Sequence, residues 1–222
     1  MPSVDALLDL KADLVRKALK GAVLAGKQTA TIPITFTTGA NADLVDLSTS
    51  GLKSVGHIAK DAPPTFTPET AKSAVEAWGV VEEIREDIIK RSLSVGYTPI
   101  ETNKMVLEMY EGLDLSAVHA DPITGEVQFS ASTSPDTKYY RTIFLAIDGS
   151  GADAVYFGRV LPRATVSEVS AQNWNPDSAV TYPMTLGAKV DPILGYASRL
   201  FFGGPGWKAI AARAGFTVAA GG

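Results

Sequence analysis

The sequence predicts a mainly β fold with a flanking helix, which places the chain in the α+β class. Apolar and polar residues alternate with period two over 89–97 and 180–190, as strands with two different faces do. Two apolar runs, 139–147 and 154–161, flank a short Gly-rich segment and predict a β-hairpin. One helix is strongly indicated, at 99–111. Strands therefore dominate the expected core.

Composition limits the classes of protein that this chain can belong to. The chain has 222 residues, of which 45% are hydrophobic and 20% charged, so it suits one compact unit or two small ones. It has no Cys, which excludes a disulfide scaffold, a zinc ribbon and a thiol nucleophile, and its two His cannot form a three-histidine metal site. A net charge of −4 argues against a broad basic face that grips nucleic acid.

The N-terminus carries no targeting signal that we recognise. Asp5, Asp9 and Asp13 stand where a signal peptide would have positive charge followed by an unbroken apolar stretch. No segment approaches the roughly 20 apolar residues that a bilayer-spanning helix needs. We therefore expect a chain that begins near Met1, has no membrane partner and folds in a reducing cytoplasm.

The first third of the chain predicts short elements separated by loops. Apolar residues recur near helical spacing over 4–24, which indicates an amphipathic helix. The run 30–36 predicts a short strand that Pro33 confines to a sheet edge. Residues 37–56 are rich in Thr, Ser, Gly, Asn and Asp and predict an interface loop. Residues 67–78 fit either a capped helix or a strand.

The helix at 99–111 has both of its ends marked in the sequence. Thr98-Pro99-Ile100-Glu101 matches a capping box with Pro at the first helical position, and Gly112 supplies a stop. A long polar connection follows over 114–135, with a turn at 121–125 and a short strand at 127–129.

The last third predicts more strands and a final helix. Residues 165–169 continue the meander that begins with the hairpin. Pro183 lies inside the alternating run 180–190, so this strand is predicted at an edge or bulge, where another chain can pair with it. A short helix is predicted to begin near Pro205 and to end near Gly215.

No catalytic, cofactor-binding or metal-ligating residue is predicted. His57 and His119 lie outside any metal or nucleophile motif and are interpreted as ordinary structural or surface residues. Residues 148–153 resemble a calcium loop only faintly and are read as the hairpin turn. Residues 203–208 fail the phosphate-loop pattern because Ala209 follows Lys208. No cofactor and no enzymatic activity are expected.

An acidic cluster raises a glycosidase hypothesis, because such enzymes place two carboxylates on either side of the bond that breaks. The cluster consists of Glu82, Glu83, Glu86 and Asp87. Basic neighbours at Arg85, Lys90 and Arg91 favour the alternative, a solvated charged surface.

A series of short motifs resembles the major tail protein, or tail tube protein, of long-tailed non-contractile bacteriophages (siphophages), especially those of actinobacterial hosts. The similarity covers roughly residues 56–216 and rests on the shared order of the motifs. They are Ala77-Trp78-Gly79, Arg85, Pro99-Ile100-Glu101-Thr102-Asn103-Lys104, Leu107 to Ser116, Lys138-Tyr139-Tyr140-Arg141, Asp148-Gly149, Tyr156 to Ala164, Trp174, Tyr182-Pro183 and Phe202-Gly203-Gly204-Pro205-Gly206.

The resemblance implies a β-sandwich or barrel-like core with long assembly loops, built into stacked hexameric rings that form a virion tail tube. DNA would pass through the tube without specific binding during genome ejection. Implied partners are further copies of the chain, a tape measure protein, a tail terminator and tail-tip proteins, and synthesis would take place in the bacterial host's cytoplasm. The carboxylates expected to line the lumen are Glu82, Glu83, Glu86, Asp87, Asp121 and Glu126.

The chain is expected to divide into four segments. Residues 1–36 would form an N-terminal arm and first strand, 37–76 an extended loop region, 77–216 the tube-like core and 217–222 a C-terminal tail. Two other interpretations stay open. One is a different ring protein, such as a tail terminator or the inner tube of a contractile tail or secretion system. The other is a carbohydrate-binding β-sandwich, suggested by Trp78, Trp174 and Trp207.

Overall fold

A computed structural model describes residues 8–217 of the chain and shows a mainly β protein with few helices. The predicted fold class is therefore confirmed. The strands are β1 (Lys20–Lys27), β2 (Thr37–Thr38), β3 (Asp43–Leu44), β4 (Lys53–Ser54), β5 (Thr65–Val75), β6 (Arg85–Tyr97), β7 (Tyr140–Asp148), β8 (Val155–Val169), β9 (Met184–Ala188) and β10 (Arg199–Gly203). The helices are α1 (Lys104–Glu111) and α2 (Pro205–Ile210), with 3₁₀ turns at Ala12–Leu14 and Gly151–Asp153.

Eight strands form one antiparallel sheet. Seven of them follow the order β4-β1-β7-β8-β9-β6-β5, and the eighth, β10, pairs with β8. The long strand β8 pairs with β7 on one side, and with β10 and then β9 on the other. β2 and β3 form a separate two-stranded ribbon. The predicted hairpin is confirmed as β7–β8, and the predicted strand at 165–169 is the end of β8.

Side chains pack on both faces of the central strands. One face carries Val23, Phe144 and Leu161, and α1 covers it with Val106 and Met109, which form one buried cluster with them. The other face holds a second cluster made of Ala30, Phe36, Leu52, Ile143 and Val160. Here the rings of Phe36 and Phe201 stack with centroids 3.9 Å apart, which fastens the loop after β1 onto the sheet.

The helix α1 lies where the sequence predicts it and ends where predicted, but its start is different. Gly112 ends it with φ 66°, a left-handed conformation that glycine adopts without strain. Asn103, not Thr98, caps it: the Asn103 side chain accepts a hydrogen bond from the Val106 N–H. The predicted capping box fails because Pro99 pairs with Ile58 in a β-bridge, and its carbonyl accepts from the Tyr182 N–H.

The predicted N-terminal helix over 4–24 is wrong for the described residues, while residues 4–7 lie outside them. The chain forms a 3₁₀ turn at Ala12–Leu14 and then β1, which pairs with β7 over eight positions. Val23 and Ala25 enter the core from alternate positions of this strand. Long-range pairing overrides a weak helical period that already contained one glycine, Gly21.

Two other predicted strands are absent from the described structure. Residues 30–36 form a loop whose carbonyls accept hydrogen bonds from arginine side chains, at Ala30 from Arg141 and at Pro33 from Arg199. Residues 127–129 are also loop. The turn at 121–125 is confirmed.

Three further predictions concern residues 67–78, the strand at 180–190 and the final helix. Residues 67–78, left open between helix and strand, belong to β5 as far as Val75. The strand predicted over 180–190 is shorter, Met184–Ala188, and it is no edge strand, since β6 and β8 flank it. Pro183 lies just before its first residue. The final helix α2 begins at Pro205 as predicted, and turns continue it towards Gly215.

Candidate assembly surfaces

The hairpin made by β5 and β6 extends beyond the rest of the sheet. The two strands pair from Thr65–Gly96 to Val75–Arg85, whereas β6 pairs with β9 only from Ser94 to Tyr97. From the pair Pro68–Leu93 to the pair Val75–Arg85, therefore, no other strand of residues 8–217 lies beside these two strands. This free ribbon runs over about eight residue pairs, or about 26 Å at the usual rise per residue.

The free ribbon has local features that explain its shape. Gly79 adopts φ 84° in the connecting turn, and the Ile84 N–H closes the turn on the Val75 carbonyl at 2.9 Å. An irregularity in the register at Ala71/Lys72 increases the local twist. The Lys72 ammonium lies 2.6 Å from the Glu86 carboxylate across the ribbon. Such an exposed ion pair contributes little stability.

The end of the hairpin is apolar and exposed. Trp78 and Val81 are fully exposed, and Val75, Val80 and Ile84 are about half exposed. We call residues 75–84 the hairpin tip. An isolated two-stranded ribbon is marginal in water, and clustered exposed apolar side chains mark a contact surface. The sequence analysis did not predict this exposed apolar cluster. Its signal in the sequence is a run of apolar residues on both sides of Gly79, with glutamates among them.

An open groove lies at one end of the sheet face that α1 covers. With eight residues, α1 is only about 12 Å long, so it shields one end of that face. At the other end, Gly21 and Ala146 keep the floor low between larger side chains. The walls are formed by Leu19, Phe66, Phe157, Leu200 and Phe202. This sheet groove has a volume of about 1250 Å³.

The sheet groove is apolar with a positive rim. Lys60 and Arg159 line it, together with His57 and Glu101. The Arg159 guanidinium lies 4.7 Å from the Phe66 ring centroid, a cation–π distance. Burial lowers the pKa of Arg159, and its Nε has no hydrogen-bond partner among the described residues.

His57 and Glu101 form a local pair at the groove's edge. The Glu101 carboxylate accepts from the His57 backbone N–H at 2.9 Å and contacts the ring Nδ1. Hydrogen bonds from the His57 side chain and backbone lower the pKa of Glu101. Glu101 thus joins the segment after β4 to the segment before α1.

The predicted acidic residues lie on two separate elements. Glu82 and Glu83 belong to the hairpin tip, and Glu86 and Asp87 follow on β6. The Asp87 carboxylate accepts from the Arg85 guanidinium at 2.7 Å. The remaining two predicted residues, Asp121 and Glu126, lie in the long connection between α1 and β7.

This long connection is anchored at its start and exposed thereafter. The Asp114 carboxylate accepts from the Lys27 ammonium at 2.8 Å and from the Ser116 hydroxyl at 2.6 Å. These hydrogen bonds, that from Lys27 above all, hold the pKa of Asp114 well below its usual range. Residues 119–137 are all exposed, and 114–135 contain no strand. The predicted long assembly loop is thus an exposed arm.

The tryptophans lie on three different elements. Trp78 is in the hairpin tip, the Trp174 Nε1–H donates to Gln172 at 2.8 Å in the loop after β8, and Trp207 on α2 stacks on Phe202 with centroids 4.9 Å apart. Among residues 8–217, no three His, Asp or Glu side chains cluster as metal ligands do. None of the helices in that range has the length and apolar character that crossing a bilayer requires.

Comparison with known proteins gives this architecture a family. The profile of the family described as "Phage tail tube protein" matches residues 9–191. Since the match covers well over half of the sequence, the chain belongs to the phage tail tube protein family, structural components of the virion tail. This confirms the resemblance to phage tail tube proteins that the sequence shows.

One solved structure among the similar ones is a chain of the "Virion of native gene transfer agent (GTA) particle". It is 10% identical, the alignment covers 71% of this chain and 92% of that one, and the TM-score is 0.33. Comparison with curated protein sequences gives no significant match.

Proposed function

We propose that copies of this chain assemble into hexameric rings that stack into the hollow tail tube of a long-tailed, non-contractile phage. The observation that carries the proposal is the family match over residues 9–191, combined with a hairpin whose apolar tip residues 8–217 leave uncovered. Assembly gives this tip a partner. The role is structural, and no catalytic step is part of it.

Ring closure accounts for the free sheet edge. β5 is the last strand of the sheet, and the outer side of its 11 residues has no strand beside it in the described structure. A head-to-tail contact repeated around a ring uses the same two surfaces in every copy and covers such edges. The exposed parts of segments 37–56 and 114–135 supply further contacts between neighbouring copies or neighbouring rings.

The tube would conduct DNA passively during genome ejection. Each Lys or Arg that contacts a phosphate releases counterions and strengthens binding, which would slow a moving genome. A lumen lined by carboxylates avoids this, and the chain's net charge of −4 is compatible with it. The proposed lining residues are Glu86, Asp87, Asp121 and Glu126, which lie outside the hairpin tip. The proposed partners are a tape measure protein inside the tube, and terminator and tail-tip proteins at its ends, all made in the host's cytoplasm.

Gold-labelled antibody against the chain, applied to intact virions and viewed by negative-stain microscopy, tests this function. Even label along the whole tail shaft is expected. Label on one end of the tail would indicate a terminator or tip protein instead, and label on the head or on no part of the particle would overturn the proposal. An antibody against a head protein of the same virion is the matched control.

A further inference from the structure

We infer that the hairpin tip of one copy seats in the sheet groove of the next copy, as the contact that propagates the assembly. This inference rests on the proposed function and deepens it by naming the two surfaces that meet. The occupant of the groove is thus a second copy of this chain, and the occupying segment is residues 75–84.

The two surfaces are complementary in polarity. The tip presents Trp78 and Val81 fully exposed, and the groove presents an apolar floor and walls that no element of residues 8–217 fills. A buried tryptophan removes on the order of 200 Å² of surface from water. A groove of about 1250 Å³ has room for Trp78 and its apolar neighbours. Docking the tip extends the cluster around Phe144 over the end of the face that α1 leaves open.

The two surfaces are also complementary in charge. Residues 76–84 contain three carboxylates, on Glu76, Glu82 and Glu83, and no Lys or Arg. The groove is lined by two cationic side chains, Lys60 and Arg159, and by one carboxylate, Glu101, which is already engaged by His57. Complementary charges of this kind fix the orientation of a contact and raise the rate of encounter. A tip carboxylate is the acceptor that the Arg159 Nε lacks within the described structure.

The contact must join different copies. Within one chain the groove is open and the tip exposed, so neither covers the other. Each copy carries one tip and one groove, and a contact between two unlike surfaces leaves one of each free at the ends of every open oligomer. Such a heterologous contact continues into a ring or a stack.

Cysteine cross-linking tests the pairing, because the full-length chain has no native Cys. Chains carrying Val81→Cys are mixed with chains carrying Leu200→Cys, in assembled tubes and in concentrated monomer, and disulfide-linked dimers are measured on non-reducing gels. The control pair joins Val81→Cys to Ile34→Cys, which is 88% exposed and outside the groove. We expect at least a tenfold higher dimer yield for the test pair. Equal dimer yields for the test pair and the control pair would overturn the inference.

A charge exchange guards against variants that merely misfold. Lys60→Glu in the Leu200→Cys chain should lower the dimer yield roughly fivefold, which corresponds to about 1 kcal/mol for exposed pairs. Glu82→Lys with Glu83→Lys in the Val81→Cys chain should restore it. A dimer yield that falls and is not restored by the second set of substitutions would contradict the charge pairing.

Other outcomes identify other occupants. Preferential cross-linking of Leu200→Cys to Ser3→Cys would assign the groove to the N-terminal segment and overturn the inference. Tubes that form, with even label on the shaft but no Val81–Leu200 cross-link, would refute this contact and leave the proposed function intact. A specific cross-link in a protein whose antibody labels no tail shaft would refute the tube function and leave the contact.

Discussion

The β7–β8 pair and the β5–β6 hairpin contain similar apolar side chains in very different surroundings. In β7 and β8, Ile143, Val160 and Leu161 are fully buried between residues of their own chain. In the hairpin, Trp78, Val81 and Ile89 are exposed. Both are antiparallel pairs with ordinary backbone hydrogen bonds, so the difference lies in what covers their side chains.

This difference separates residues that stabilise the monomer from residues that await a partner. Burying a large aliphatic side chain contributes about 1.5–3 kcal/mol. In β7–β8 that free energy is gained when the single chain folds. At the hairpin tip, the proposed contact would provide it only on assembly. Substitutions should therefore sort into two groups, one that changes the free energy of unfolding and one that changes tube formation.

The largest effect is expected from Val81→Asp at the hairpin tip. A charge at the centre of an apolar contact costs 2 kcal/mol or more, which raises the concentration needed for assembly at least about 30-fold and abolishes tubes in practice. The monomer's free energy of unfolding should change by less than about 0.5 kcal/mol, since the residue is exposed. Sedimentation of tubes and urea denaturation of the monomer measure the two quantities.

Ile34→Asp is the matched control for this variant, because it makes the same chemical change at an exposed site outside both surfaces. It should leave tube formation unchanged. Equal loss of tubes in both variants would show that the effect is not specific to the hairpin tip.

In the buried region, Leu161→Ala should destabilise the monomer by about 2–5 kcal/mol, because it leaves a cavity in the core. The exposed Leu10→Ala should change the free energy of unfolding by less than about 0.5 kcal/mol. Urea denaturation of both variants compares them. Similar small effects would mean that the sheet core is far looser than its burial indicates.

A smaller effect is expected at Asp191, a buried carboxylate beyond β9. Its Oδ1 accepts from the backbone N–H groups of Ile193 and Leu194 at 2.8 and 2.9 Å. Burial alone would raise the pKa of Asp191, but these hydrogen bonds and the charges of Arg141 and Arg163 lower it. Asp191→Ala should cost about 2–3 kcal/mol, whereas Asp191→Asn keeps an acceptor and should cost less.

The sign of the pH dependence follows from this lowered pKa. The stabilisation that the ionised Asp191 carboxylate contributes is fully present above the unfolded-state pKa of about 3.9. It is lost as pH falls through the lower folded-state pKa of Asp191. The gap in stability between the natural chain and Asp191→Asn should therefore narrow below about pH 4. A gap that is constant from pH 7 to pH 3 would contradict this assignment.

The smallest effect concerns α1, which covers one end of the sheet face that carries Val23, Phe144 and Leu161. Asn103→Ala removes the cap of α1 and the hydrogen bond from its amide to the Val55 carbonyl, 3.0 Å long. It should cost about 1 kcal/mol. Asn103→Asp keeps the acceptor but loses that donor, so thermal denaturation of the two variants separates the contributions.

Local signals predicted those elements in which sequence and tertiary structure agree. The β7–β8 hairpin has its turn, its apolar strands and its partner within one continuous segment, and Gly112 ends α1 by its own backbone preference. β1 escaped prediction because its Ala- and Leu-containing sequence tolerates a helix, and only pairing with β7, about 120 residues later, makes it a strand. Pro183 alone predicts that the strand at 180–190 lies at an edge or bulge. It carries no information about β6, which pairs with β9 in the sheet.

The candidate surfaces were predicted only in part. The acidic residues of the hairpin and the exposed 114–135 connection are visible as charge and composition. The exposure of Trp78 and Val81 cannot be predicted from the sequence, because the same residues would suit a core strand. The groove depends on Gly21, Ala146 and Leu200 meeting from three strands far apart in the sequence, which no local pattern encodes.

Hydrogen exchange measured on the monomer and on the assembled tube tests the central claim most directly, because it reports both regions in one experiment. Amides of 140–148 and 155–166 should be protected in both forms. Amides of 68–91 should exchange rapidly in the monomer and become protected in the tube. A hairpin that exchanges equally fast in both forms would contradict the claim that another copy buries it.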